Sequence, residues 1–165
     1  LEEARRLINA AISFAEAGGH EDLHKKARLS LIRLDIEEIK ASPSGAHARP
    51  HSQSLVTRIG VIEDYAHVME MPTLLCEALH ARASFLADHG ETALAGTLLT
   101  RAMAIAKRNG MALRLNRSMT LYASVLSARG LPDQARKLLF GCLEMAKRHG
   151  NQIEIERIEA AFDQI

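Results

Sequence analysis

Apolar residues in this chain recur mainly at intervals of three and four positions. The clearest stripes are Leu98, Leu99, Ala102 and Ile105; Leu121, Tyr122, Val125 and Leu126; and Leu138, Leu139, Cys142 and Met145. This spacing places each stripe on one face of an α-helix. No segment of comparable length alternates between apolar and polar residues, as a half-buried strand would. The pattern therefore predicts an all-α protein.

Prolines and glycines divide the pattern into segments. Each proline stands where a helical pattern stops, as expected from its cost of about 3 kcal/mol inside a helix. Glycines mark most of the other helix ends. About eight helices are predicted, at residues 1–17, 20–41, 52–70, 72–89, 92–109, 112–129, 132–149 and 151–164. Residues 42–51 lack the pattern and are expected to form an exposed, mobile loop.

The composition limits the classes of function. A chain of 165 residues fits one domain, and 47% hydrophobic with 25% charged residues is typical of a folded globular protein. The net charge of +1 predicts no general affinity for nucleic acid or for an anionic membrane. No apolar run reaches the length of a membrane span. Two cysteines cannot form a disulfide framework, so a reducing compartment, cytoplasm or nucleus, is expected.

The second half of the chain repeats with a period of 40 residues. Gly90 and Gly130 are separated by this distance, and so are Gly110 and Gly150. The same shift superposes Leu98-Leu99 on Leu138-Leu139 and Ala95 on Ala135. A period of this length is typical of proteins in which each helical unit completes its core by stacking on the next.

These features resemble the tetratricopeptide-repeat superfamily, in its long-repeat form. In that family, fixed small residues allow neighbouring helices to approach closely. The resemblance implies a right-handed α-solenoid of antiparallel helix hairpins. It also implies turn and packing roles for six residues: Gly90, Gly130, Ala83, Ala95, Ala123 and Ala135.

The resemblance also implies a domain organisation. Residues 1–41 form a degenerate first hairpin in which Gly18 is the turn and Ala11 and Phe14 occupy the packing sites. Residues 52–70 form an extra helix with no repeat counterpart. Two repeats follow, at 72–110 and 111–150, and a terminal helix occupies 151–165. We expect the chain to be part of a longer protein, in which a neighbour covers the open ends of the solenoid.

Within this group, the stretch from Thr92 to Gly150 most resembles the C-terminal repeats of the anaphase-promoting complex subunit 5 family. The resemblance rests on Leu98-Leu99 with the helix that follows, and on the turn at residues 130–135. It implies a non-catalytic protein-interaction scaffold, a structural subunit of a cell-cycle ubiquitin ligase whose partners are other protein subunits. Helical sensor or oligomerisation domains of bacterial signal-transduction ATPases of the maltose-activator type look similar and remain the alternative.

The sequence contains one candidate motif for catalytic chemistry. His20-Glu21-Asp22-Leu23-His24 matches HExxH, in which two histidines bind zinc and the glutamate activates water. Here the motif directly follows two glycines and so begins a helix, where Glu21 and Asp22 complement the helix dipole. Ser30 stands where the extended motif has its third histidine. We therefore predict a helix-terminal role, with no metal, no cofactor and no enzymatic activity.

The cysteines are expected to pack in the core. Cys76 and Cys142 each lie on an apolar stripe, and no neighbouring residue in the sequence would activate either thiol.

Acidic and basic residues are separated along the repeats. No Asp or Glu occurs from Thr92 to Pro132, whereas six residues are basic: Arg101, Lys107, Arg108, Arg114, Arg117 and Arg129. The helix dipole explains those at helix C-termini but not Arg114 and Arg117, which lie near a helix start. We predict that these two residues and Arg101 contribute to a surface for an acidic peptide or a neighbouring subunit. Nucleic acid is not expected, because the segment has no aromatic stacking platform.

Overall fold

The computed structural model describes residues 1–41 and 48–165, with side chains for residues 1–39 and 54–165. Across these residues every regular element is an α-helix, which confirms the predicted fold class. The eight helices of the described residues are α1 (Glu2–Ala17), α2 (Glu21–Ala41), α3 (Ala48–Val68), α4 (Pro72–Asp88), α5 (Thr92–Arg108), α6 (Ala112–Ala128), α7 (Pro132–Arg148) and α8 (Gln152–Phe162). None of them is long and apolar enough to cross a membrane.

One predicted boundary is wrong. The mobile loop was expected to extend over residues 42–51, but α3 already begins at Ala48. Pro50 is the third residue of this helix, and the first turn tolerates proline because its N–H groups have no intrahelical acceptor. Residues 42–47 of the predicted loop lie outside the described residues.

The helix turns share one backbone geometry. Glycines at 19, 90, 110, 130 and 150 adopt left-handed conformations, with φ between 62° and 82°. After each, the next N–H bonds back to a carbonyl in the last turn of the helix; Glu91 N, for example, lies 2.9 Å from Leu86 O. The turn after α3 has the same hydrogen bond, but its left-handed residue is Glu70, at φ 52°.

The register predicted for the first hairpin is wrong by one residue. Gly19 is the left-handed residue, whereas Gly18 has an ordinary negative φ of −89° and caps α1. The two packing positions move accordingly, from Ala11 and Phe14 to Ile12 and Ala15. Ala15 is fully buried and Ile12 is partly buried, whereas Phe14 is 65% exposed. Two adjacent glycines left the position of the turn undecided in the sequence.

The chain divides into two compact units, residues Leu1–Leu74 and Leu75–Ile165. In the first unit α1 packs against α2, and α2 against α3. Arg5 on α1 donates hydrogen bonds to Asp35 and Glu38 on α2, both at 2.7 Å. The buried apolar side chains of α2 and α3 are Ala27, Leu29, Ile32, Ile36, Leu55, Ile59, Ile62 and Ala66.

In the second unit each helix from α5 onwards packs against the next one, and α6 also contacts α8. Small residues occupy the closest approaches: Ala83, Ala95, Ala123 and Ala135 are all fully buried. Gly96 is a further small site, which the sequence analysis missed. A Cβ there would lie 3.4 Å from the ring of Tyr122, so its absence lets α5 approach α6.

The spacing of buried positions in α5 and α7 also occurs in α3, the helix at 52–70 that was expected to have no repeat counterpart. Four of the five buried positions in α5 are also buried 40 residues later in α7: Ala95, Leu99, Ala102 and Ala106 correspond to Ala135, Leu139, Cys142 and Ala146. The positions 40 residues earlier lie in α3 and are also buried: Leu55, Ile59, Ile62 and Ala66. Larger side chains at some of these positions, and Glu70 in place of a turn glycine, conceal the period in the sequence.

Candidate functional site

The structure places the three predicted partner-binding arginines on two helices of the second unit. Arg101 lies on α5 and is exposed. Arg114 and Arg117 lie in the first two turns of α6 and are about one-third exposed, since each forms an ion pair with a neighbouring helix. The docking role of the three residues stays a prediction, but for Arg114 and Arg117 the fold supplies a carboxylate partner of its own.

The two ion pairs are the same contact with the charges exchanged. Arg114 on α6 donates to Glu77 on α4, and Arg117 on α6 donates from Nε to Glu154 Oε1 on α8 at 2.9 Å. Both pairs span 37 residues in sequence. In the 40-residue repeat, the position of Glu77 corresponds to that of Arg117, and the position of Arg114 corresponds to that of Glu154. The period found in the apolar pattern therefore extends to the charged contacts.

Glu154 is the most deeply buried charged residue of this arrangement, at 1% exposure. Its Oε1 accepts from Arg117 and also from Arg157 Nη1 at 2.6 Å. It is the third residue of α8, and its backbone N–H donates to Asn151 Oδ1 at 3.2 Å in a helix N-cap. Two arginines and the positive end of the helix dipole thus surround this carboxylate. Its Oε2 is buried without a hydrogen-bond partner among the described residues.

A groove of about 190 Å³ lies beside this carboxylate. It is formed by the start of α6, the end of α7 and the start of α8, and it is lined by Ala112, Leu113, Asn116, Met145, Ala146, His149, Asn151 and Glu154. Asn116 is buried as well, and its Oδ1 has no hydrogen-bond partner within the described part of the chain. A buried acceptor without a donor costs about 1–3 kcal/mol. The groove, defined by these residues, therefore combines an apolar lining with two residues whose buried oxygens lack a donor.

Sequence reasoning did not select Asn116 or Glu154. In the sequence, Glu154 stands among several acidic residues of the last helix, and a buried carboxylate has no local signature. Its burial follows from the packing of α8 against α6 and α7. The charge exchange over 40 residues was the available signal.

The HExxH segment lies in the first unit, where α2 begins at Glu21, as the helix-terminal interpretation predicted. His24 Nε2 accepts a hydrogen bond from Arg28 Nε at 2.7 Å. Asp22 accepts one from the Tyr65 hydroxyl at 2.7 Å, which raises the pKa of Tyr65 to about 12. Among the residues that the structure describes, no three His, Cys, Asp or Glu side chains lie close enough together to hold a metal ion.

Both cysteines are free and buried, as predicted. Cys76 Sγ donates to Ala102 O at 3.5 Å, and Cys142 Sγ donates to Asn116 O at 3.9 Å. Positions 76 and 116 correspond in the repeat, and so do positions 102 and 142. The two contacts are therefore equivalent, but the cysteine lies on α4 in the first and on α7 in the second. Burial raises the pKa of both thiols, that of Cys142 to about 11.

Comparisons with known proteins identify no relative. No family model, curated protein or solved structure matches the chain. Function is therefore inferred from the residues and geometry of the chain itself.

Proposed function

We propose that this chain is a non-catalytic protein-interaction module built as a tetratricopeptide-like right-handed α-solenoid. The observation that carries the proposal is the recurrence of both the buried stripe and the interhelical ion pair after 40 residues. Modules built from stacked repeats present extended surfaces and characteristically serve as binding platforms.

The groove beside Glu154 defines the chemistry of the ligand. Its apolar lining, from Ala112, Leu113, Met145 and Ala146, suits a peptide, and the unpartnered acceptors of Glu154 and Asn116 suit a lysine or arginine side chain of that peptide. Both unpartnered oxygens are buried, so the side chains that line the groove must shift for a ligand to reach them. A donor that reached them would satisfy both acceptors and so be favoured over an apolar side chain of similar size.

Two fuller descriptions of the module rest on resemblance alone. One is a structural subunit of the anaphase-promoting ubiquitin ligase, and the alternative is the helical sensor or oligomerisation domain of a bacterial ATP-dependent regulator. A nucleotide-binding domain upstream and a helix-turn-helix downstream in the full-length protein would favour the regulator.

A peptide library selected on the purified chain tests the proposed function. We expect the enriched peptides to share a lysine or arginine. Leu113→Arg places a cation at the groove and should weaken their binding by about tenfold, or about 1.4 kcal/mol. Leu94→Arg is the matched control, because Leu94 is also an exposed leucine in the first turn of a 17-residue helix of the same unit. Peptides without basic residues, or equal binding by both variants, would overturn the assignment of the groove.

A further inference from the structure

The outer face of α1 carries an exposed apolar stripe. Leu7 and Phe14 are 60% and 65% exposed, Ala10 lies between them, and Glu3 precedes them one turn towards the N-terminus. Positions 3, 7, 10 and 14 fall on one face of a helix.

The same four register positions are buried or partly buried in the other helices that begin a hairpin. Counted back from the left-handed turn residue, they lie 16, 12, 9 and 5 residues before Gly19 in α1, Gly90 in α4 and Gly130 in α6. In α4 they are Leu74, Ala78, Ala81 and Phe85, all buried. In α6 they are Arg114, Ser118, Leu121 and Val125, and 40 residues later they are Glu154, Ile158, Ala161 and Ile165. None of these eight side chains is as exposed as Leu7 or Phe14.

The second unit shows what covers this face. Val125 of α6 packs with Ala83, Ala95 and Leu99 of the α4–α5 hairpin. Ile158 and Ala161 of α8 pack with residues of the α6–α7 hairpin, including Leu139. In both cases the cover is the preceding α-hairpin.

The charged residue at the first position of the stripe indicates which charge a docked partner would present. In α6 and α8 this position holds Arg114 and Glu154, and each bonds an opposite charge at the sixth residue of the first helix in the preceding hairpin. In α1 it holds Glu3, which is exposed and pairs with Arg6 of its own helix at 2.8 Å. Glu154 has the corresponding own-helix partner, Arg157, and bonds Arg117 in addition.

We propose that the outer face of α1 docks an α-hairpin of the same repeat type, which presents an arginine or lysine to Glu3 and a row of small side chains to Leu7, Ala10 and Phe14. The proposal rests on the repeat architecture proposed above and adds a second binding surface, distinct from the groove beside Glu154. It concerns the first unit alone.

The test supplies such a hairpin from the chain itself. A second copy of residues 111–151 fused directly before Leu1 continues the register, so that Glu3, Leu7 and Ala10 take the places of Glu154, Ile158 and Ala161. Because the chain contains no tryptophan, Phe14→Trp provides a single fluorescent reporter on the face. We expect the fusion to shift the emission of this indole to shorter wavelength and to protect it from iodide, relative to the unfused Phe14→Trp protein.

A charge exchange tests the specific contact. In the fusion, Arg117→Glu in the added hairpin should restore iodide access to the indole, and combining it with Glu3→Arg should protect the indole again. Lys137→Glu in the added hairpin is the control, since Lys137 is exposed on the helix that follows. The proposal fails if the indole is as accessible in the fusion as without it, or if the charge exchange does not rescue.

The other candidate occupant is a second copy of the chain, joined face to face through α1. Sedimentation velocity of the unfused protein decides this. A monomer at all concentrations supports the hairpin as occupant, and a dimer that Leu7→Asp dissociates would overturn it. Because the added hairpin brings a second copy of most groove residues, peptide binding is compared in the unfused proteins. It should be the same in wild type, Phe14→Trp and Leu7→Asp, so a failure here leaves the proposed function standing.

Discussion

Single residues in the helix turns carry the clearest conformational requirement in this molecule. Five of the left-handed turn residues are glycines, which reach positive φ without steric cost. Glu70 adopts the same conformation with a side chain, which costs about 1–2 kcal/mol for an L-residue. The turn after α3 is nevertheless closed by Met71 N, which bonds Ala66 O at 2.8 Å. The contacts around this turn therefore hold Glu70 in a conformation that its own preference opposes.

Glu70→Gly should relieve this strain. We expect the free energy of unfolding to rise by about 0.5–1 kcal/mol, because the relief exceeds the added entropy of glycine in the unfolded chain. Thermal melting followed by circular dichroism measures the change. Gly110→Ala is the opposite substitution at a turn where a Cβ meets no other atom, and it should lower stability by about 1 kcal/mol. A lower melting temperature for Glu70→Gly would contradict the assigned strain.

The thiol of Cys142 gives a pH dependence of known sign. Burial raises its pKa from 9.0 to about 11 in the folded protein. The folded state thus favours the protonated thiol, so its contribution to stability is complete below pH 9 and is lost as the pH rises towards 11. Urea unfolding over this range should show wild type losing stability relative to Cys142→Ala. Alanine already occupies the corresponding position, Ala102, so the variant should fold. Parallel pH curves for the two proteins would exclude this role for the thiol.

At the scale of the helices, the ion pairs Arg114–Glu77 and Arg117–Glu154 occupy equivalent positions but differ in burial. Glu77 and Arg114 are each about one-third exposed, whereas Glu154 is buried. Solvent reaches both partners of the first pair but only the arginine of the second, so equal geometry does not give equal energy. A misaligned hairpin would place Arg114 opposite Arg117. The repulsion between these like charges favours the observed register.

Removal of the two arginines should therefore have unequal effects. We expect Arg117→Met to lower the free energy of unfolding by about 3 kcal/mol, because it leaves the buried Glu154 with Arg157 alone. Arg114→Met should cost no more than about 1 kcal/mol. The double variant Arg117→Met/Glu154→Leu should recover most of the loss, since it removes the buried charge as well. Equal losses in the two single variants, measured by urea unfolding, would show that Glu154 is effectively solvated.

At the scale of the whole molecule, the buried alanines determine how closely the repeats approach each other. Ala123 on α6 is fully buried and packs with residues of α7 and α8. A larger side chain in such a close-packed contact forces its neighbours to move.

Ala123→Glu should unfold the second unit, because it buries a charge that has no partner at this contact. We expect a loss of at least about 3 kcal/mol and a large decrease in helical circular dichroism. Ala104→Glu, on the exposed side of α5, is the control and should leave the melting temperature nearly unchanged. Unchanged melting of Ala123→Glu would mean that the repeat register is wrong.

Much of the element structure was predictable because its signals are local. Helix spacing, proline and glycine positions predicted the helix ends to within two residues, except at α3. The exceptions also have local causes: Pro50 fits inside a first turn, Gly18 and Gly19 are adjacent, and Glu70 takes a left-handed turn position that glycine holds in the other turns. Where a residue type departs from the common one for its conformation, sequence reasoning misassigns it.

The sequence alone determined the helical class, the 40-residue period and the small positions of the second half, since periodicity and turn residues act within a few positions along the chain. Only the tertiary structure decided that Glu154 is buried, that Arg114 and Arg117 have carboxylate partners, and that Leu7 and Phe14 are exposed. These properties depend on which helix lies beside which. A residue 37 positions away in sequence contributes to them as much as an adjacent one does.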